Sequence, residues 1–134
     1  MESTMESTME STMESYNLCI QVITMPCDTN ANGDIFGGWL LSQMDLAGCV
    51  ECQNYFPGRY VTVTIDKMVF AKPVKVGDIL TIYCKIINIG QTSLTIDIIA
   101  KIKKSLTNEI VEVTKGIFKY VCIDENHKPK KINK

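Results

Sequence analysis

Leu80, Ile82, Cys84 and Ile86 are apolar at every second position, and so are Leu94, Ile96, Ile98, Ala100 and Ile102. A two-residue period over such lengths marks strands with one buried face. Gly90, between the two runs, predicts a hairpin with long arms. Upstream, Val61, Val63 and Ile65 alternate with Thr62, Thr64 and Asp66 before the apolar phase shifts to Met68 and Phe70. The shift predicts a bulge near Asp66–Lys67. A last strand is expected from about Glu109 to Ile123, with a second bend near Gly116 where its phase slips. At the amino side YNLCIQVIT, residues 16–24, is rich in strand-prone residues and halts at Met25-Pro26. Lys72 to Asp78, KPVKVGD, reads as a loop.

One segment breaks the alternation. In GGWLLSQMDLAGCVECQNYF, Leu40, Leu41, Met44 and Ala47 fall on one side of a helix and Trp39, Leu46 and Val50 on another. A helix that is apolar nearly all round is buried. Taken from Gly38 to about Gln53 it is roughly 24 Å long at 1.5 Å per residue, and Pro57 and Gly58 end it. The expected order is thus one strand, one long helix and four consecutive strands. A single helix cannot cover both faces of such a sheet, so the economical arrangement is a strongly curved antiparallel sheet wrapped around it. Its long edges are templates for pairing with another copy, and self-association is expected.

Size and charge narrow the picture. At 134 residues the chain allows one compact domain with short appendages. Residues 1–15, MESTMESTMESTMES, are a low-complexity repeat with no hydrophobic face; 16–123 form the domain; 124–134 are a polar, basic tail. A net charge of -1 without a basic stripe lacks the footprint of a nucleic-acid binder. Apolar stretches are broken by Ser42, Gln43, Asp45 and Glu51 well short of the roughly 20 residues a membrane-spanning helix needs, so no membrane partner is expected. The amino end has neither the basic start nor the apolar run of a secretory signal, which makes the cytoplasm the expected address. The six cysteines are then expected as thiols. Cys49 and Cys52 form C-x-x-C, but no second pair or nearby histidine completes a metal site, and packing is the simpler reading.

The inventory of reactive groups is short. His127, the one histidine, lies in the tail, so a histidine-activated nucleophile requires that tail to fold across the domain. No G-x-S-x-G or G-x-x-x-x-G-K motif is present. Carboxylates remain. Asp34 precedes Gly37 and Gly38, which open the helix, where unpaired amides and the positive end of the dipole lie. Glycine lets a ligand approach those amides closely. Asp34 can therefore hold a water that attacks a carbonyl polarised by the Gly37 or Gly38 amide. The competing reading is structural: Asp34 can form an Asx turn or cap the helix, and Asn30, Asn32 and Gly33 are ordinary turn residues. Asp45, within the helix, faces either a ligand from a partner subunit or a local hydrogen bond. Trp39 and Met44 read as core.

The block MPCDTNANGDIFGGWLLSQMDLAG, residues 25–48, closely resembles the signature of the YciA-type acyl-CoA thioesterases of the hotdog fold. RYVTVTIDKMVFAKPVKVGD, GQTSLTI and IFKYVCIDENHKPK resemble later parts of that family, so the likeness covers residues 16–130. It implies an α+β hotdog fold, a curved antiparallel sheet of about five strands around one long central helix, and hydrolysis of acyl-CoA without a cofactor. Asp34 is then the catalytic group, as base or nucleophile, with Gly37 and Gly38 beside it. The resemblance further implies a dimer joined edge to edge with active sites at the interface, commonly assembled as a trimer of dimers. By position, Asn32, Phe36, Arg59, Lys72, Gly90, Thr92 and Ser93 are candidates for contacts to the acyl-CoA substrate. Lys115 with Gly116 departs from the family's pattern. A non-catalytic acyl-CoA sensor or carrier on the same fold is the alternative; a dehydratase is weaker, lacking a core histidine.

Overall fold

A computed structural model describes Met13 and residues 15–133, so the expectations for the amino-terminal repeats fall almost wholly outside the described residues. Strand β1 (Asn17–Ile23) is followed by a short 3-10 turn at Pro26–Asp28 and by the helix α1 (Gly37–Tyr55); β2 (Arg59–Phe70), β3 (Ile79–Ile89), β4 (Ser93–Lys103) and β5 (Ile110–Ile123) complete the order. The strands form one antiparallel sheet ordered β1-β3-β4-β5-β2. All five touch α1, which five strands can do to one helix only if the sheet curls around it. Leu80, Ile82, Cys84, Leu94, Ile96, Ile98, Ala100 and Ile102 are all buried, as their two-residue period predicts.

The helix departs from expectation. It is buried along Leu40, Met44, Ala47, Gly48, Glu51 and Cys52, but Leu46 is 56% and Val50 38% exposed. Within one chain its second apolar side is covered only at Trp39, which packs against the core. Exposure also marks β2, an edge strand, where Val61, Val63 and Ile65 are 39%, 48% and 40% exposed. Their alternation is that of a strand with an apolar face, yet that face does not meet the chain's own core.

Two bulges shape β2. The pairing with β5 shifts between Thr62 and Thr64 and again between Asp66 and Val69, where Lys67 takes a positive φ of 52° and its amide donates to the Asp66 carboxylate at 2.9 Å. The extra residues face Gly116. A Cβ there would stand 2.6 Å from Met68 Sδ, so the glycine is what lets the bulge sit down on β5. The slip of β5 against β4 lies earlier than expected, between the partners of Ala100 and Lys101.

The carboxyl-terminal segment also docks. Pro129 bridges to Ile123, the Lys130 amide donates to the Cys122 carbonyl at 2.8 Å, and the Ile132 amide to the Gln91 carbonyl at 2.8 Å. It covers the end of the sheet where the β3–β4 hairpin turns.

Candidate active site

The loop ahead of α1 is organised by Asn30. Its side-chain oxygen accepts the amides of Asn32 at 2.9 Å and Asp34 at 3.1 Å, which is the Asx-turn role that sequence left open for Asp34. Gly33 provides a φ of 80°, a conformation costly for other residues. The helix cap is equally independent of Asp34: Phe36 is the N-cap residue and no side chain caps the helix. With both structural duties discharged elsewhere, the Asp34 carboxylate points to Lys75, with which it forms a salt bridge.

Lys75 was not foreseen, and its placement rests on non-local bonds. Asp34 and Lys75 form an isolated bridge, the Ile35 amide donates to the Val74 carbonyl at 2.9 Å, and Asp78 accepts the Lys75 amide at 3.0 Å and the Ser105 amide at 3.3 Å. Thr24 Oγ1 donates to the Lys75 carbonyl at 2.8 Å. A loop that reads as plain turn chemistry is thus pinned from two sides. The KPVKVGD sequence held one clue, since a buried Asp after Gly77, which has a φ of 94°, is an efficient acceptor for its own loop.

Asp34, Gly37, Lys72, Asn30, Ile35 and Leu40 line one recess of about 290 Å³, together with the stretch from Phe70 to Val74. Its floor, Ile35, Leu40 and Val74, is almost fully buried; its rim is polar. The Phe70 ring lies 3.5 Å from where a Gly37 Cβ would be, whereas a Cβ on Gly38 would meet nothing within 4 Å. Backbone amides at the start of an α-helix lack intrahelical partners; Leu40 is the first whose amide donates back, to the Phe36 carbonyl at 3.1 Å. A carboxylate, the Gly37 backbone and an apolar floor therefore converge at one helix mouth, while Gly38, one residue further along the helix, does not line the recess. Asn32 and Phe36 are both exposed and neither lines this recess.

The remaining candidates are elsewhere. Arg59 pairs with Ile123, and Ser93 and Val61 both pair with Val121, while the Cys122 amide donates to the Thr92 carbonyl at 2.8 Å. Arg59, Gly90, Thr92 and Ser93 hence cluster at the hairpin end of the sheet. Asp34 and Lys72 sit at the other end, next to the start of β3. The 11 residues of β3 separate the two groups by about 35 Å at 3.3 Å per residue.

A second carboxylate is held in the middle of the helix. Asp45 Oδ1 accepts the Thr62 hydroxyl at 2.5 Å and the Tyr120 hydroxyl at 3.1 Å, and Tyr120 also donates to the Asp45 carbonyl at 2.9 Å. Burial, and after it the charge of Asp45, push the Tyr120 phenol well above the ordinary tyrosine value. Burial likewise raises the thiols of Cys49 and Cys52, the reverse of what a reactive C-x-x-C needs. All six cysteines are free.

A family model described as Thioesterase superfamily matches residues 32–108. The acyl-CoA thioester hydrolase YciA of Escherichia coli strain K12 is 43% identical over 117 residues, covering 85% of this chain and 89% of that protein. Among solved structures, a hexameric thioesterase from Yersinia pestis superimposes with a TM-score of 0.85 at 43% identity, covering 89% of this chain and 97% of that one. An aspartate-to-alanine mutant of a hexameric broad specificity acyl-coenzyme A thioesterase gives a TM-score of 0.85 at 37% identity, covering 88% and 87%. With the helix mouth, its carboxylate and the five-stranded wrap in place, the match extends over nearly the whole described chain: the protein belongs to the thioesterase superfamily.

Proposed function

We propose that the protein hydrolyses acyl-CoA thioesters to a free carboxylic acid and coenzyme A. The observation that carries the reading is the Asp34 carboxylate, released from turn and cap duties and sharing with the Gly37 backbone, at the start of the helix, one recess with an apolar floor. The names of its relatives support the substrate class. Asp34 takes a proton from water as the water oxygen attacks the thioester carbon. The carbonyl oxygen gathers negative charge against the helix amides, where one such donor is worth on the order of 3 kcal/mol. Collapse of the tetrahedral species breaks the carbon–sulfur bond, and the proton passes from Asp34 to the departing sulfur. Water is the only co-reactant, so no cofactor is invoked.

Asp45 gives a second reading, favoured by its two hydroxyl donors, which fix Oδ1 and leave Oδ2 without a hydrogen bond among the described residues. It lies eight residues beyond Gly37, about 12 Å along the helix, so it cannot act with its own helix mouth. It requires the mouth of a second copy across β2. Asp34→Asn and Asp45→Asn, assayed side by side for thiol release from acyl-CoA, separate the two. The first reading expects loss of turnover by at least a hundredfold in Asp34→Asn with folding unchanged; loss confined to Asp45→Asn transfers the role. Tight acyl-CoA binding without thiol release by the unaltered protein, judged against a no-substrate control for its own cysteines, makes it a sensor or carrier instead.

The assembly follows from the same geometry. An edge strand with an exposed apolar face pairs readily with a copy of itself. Antiparallel pairing of two β2 strands about their middle sets the Arg59 end of one copy beside the Phe70 end of the other. It thereby unites the two groups of candidate contacts that one chain holds about 35 Å apart. Hexameric relatives support a trimer of such dimers. No described helix is long and apolar enough to cross a membrane, and a reducing cytoplasm, in which free thiols persist, is the proposed compartment.

A further inference from the structure

We infer that the recess beside Asp34 is the acyl pocket, that it favours short to medium acyl groups, and that Phe70 sets the limit. The inference rests on the thioesterase reading and names its substrate class. Once a thioester carbonyl sits at the Gly37 and Gly38 amides, the first atoms of one arm must lie over Ile35, Leu40 and Val74, because these form the surface directly beneath. That surface is apolar and closed: the three side chains are at most 5% exposed. It is also stiff, being built from the zipped Ile35–Val74 backbone pair and the first turn of α1. The acyl arm matches it, since the other arm of the substrate carries amides and phosphates. Those suit the Lys72 side of the recess.

A volume of about 290 Å³ holds roughly ten groups of water size at about 30 Å³ each. The thioester sulfur and carbonyl oxygen take two of these places, and an acyl chain of about eight carbons takes the rest. Phe70 is the adjustable wall. It ends β2, is 51% exposed, and places its ring edge against Gly37, whereas every other apolar wall is locked in the core or in the backbone of the 71–74 loop.

The test is the chain-length profile of kcat/KM from acetyl-CoA to palmitoyl-CoA for the unaltered protein, Phe70→Ala and Phe70→Trp. The expected profile rises to about C8 and falls beyond it. Phe70→Ala moves the optimum to longer chains, with about a fourfold gain per additional seated methylene; Phe70→Trp moves it to shorter ones. Phe70 ends β2 and meets the Arg59 end of the neighbouring copy in the proposed dimer, so melting and sedimentation are compared with the parent for both variants, and the opposed directions separate a pocket effect from damage. Hydrolysis with a profile unmoved by either substitution overturns the inference and leaves the thioesterase reading standing. If no acyl-CoA is turned over, that reading fails on its own. The same profile is then read as acyl-CoA affinity by calorimetry, where a Phe70-independent profile again overturns the pocket and a shifted one upholds it.

Discussion

Gly48 shows how one missing side chain can hold a helix in place. A Cβ there would overlap the Tyr120 hydroxyl and stand 2.5 Å from its Cζ; the space belongs to the phenol that bonds Asp45. Glycine in a helix interior costs roughly 0.5–1 kcal/mol relative to alanine. Replacing it should nonetheless destabilise, because overpacking costs about 1–3 kcal/mol. The expected net loss for Gly48→Ala is about 1 kcal/mol, read as a lower urea midpoint with an unchanged slope; an equal or higher midpoint refutes the account. Such contacts are invisible in sequence, where Gly48 is one small residue in an apolar run. Asp34, Gly37 and Gly38 were legible because turn residues, glycines and a helix start occur consecutively. Lys75 was not, since it lies 41 positions further along the chain and meets Asp34 only once the intervening elements have folded.

At the level of elements, Tyr120 ties β5 to α1, and its perturbed phenol makes that tie sensitive to alkali. The folded phenol holds its proton above the ordinary tyrosine value near 10, first because it is buried and next because Asp45 is close. Its contribution is complete below about pH 10 and is lost as pH rises through the folded value, since the unfolded chain ionises first. Tyr120→Phe should therefore lose stability less steeply above pH 10 than the parent, as followed by denaturant midpoints at stepped pH. Equal slopes would show that the tyrosine is not coupled to folding. Tyr16, raised to about 12 by burial and then by its bond to Asp97, and Tyr60, also raised, supply the residual slope.

Strand and helix limits were readable to within a few residues because period, proline and glycine act locally. The register was harder. The phase slip at Gly116 marked a real irregularity, but the extra residues lie in β2 opposite it. The apolar phase shift at Asp66–Lys67 marks that insertion from within β2, so the slip read at Gly116 is its imprint on the partner strand. The 3-10 turn at Pro26–Asp28, held by the Phe36 amide donating to the Asp28 carbonyl at 2.9 Å, left no periodic trace at all.

For the whole molecule, the apolar positions that misled are the most informative. Leu46, Val50, Val61, Val63 and Ile65 carry the pattern of a core without one, because a single sequence records burial but not which chain supplies the cover. Val63→Lys should leave the fold intact by circular dichroism, reduce the particle to monomers in sedimentation and abolish thiol release. Full activity in a verified monomer would sever assembly from catalysis. The roughly 35 Å of β3 between the Asp34 end and the hairpin end has a consequence for any bench assay. If each working site borrows half its contacts from a neighbour, specific rate must depend on dilution, falling toward zero at concentrations where perfectly folded chains drift apart.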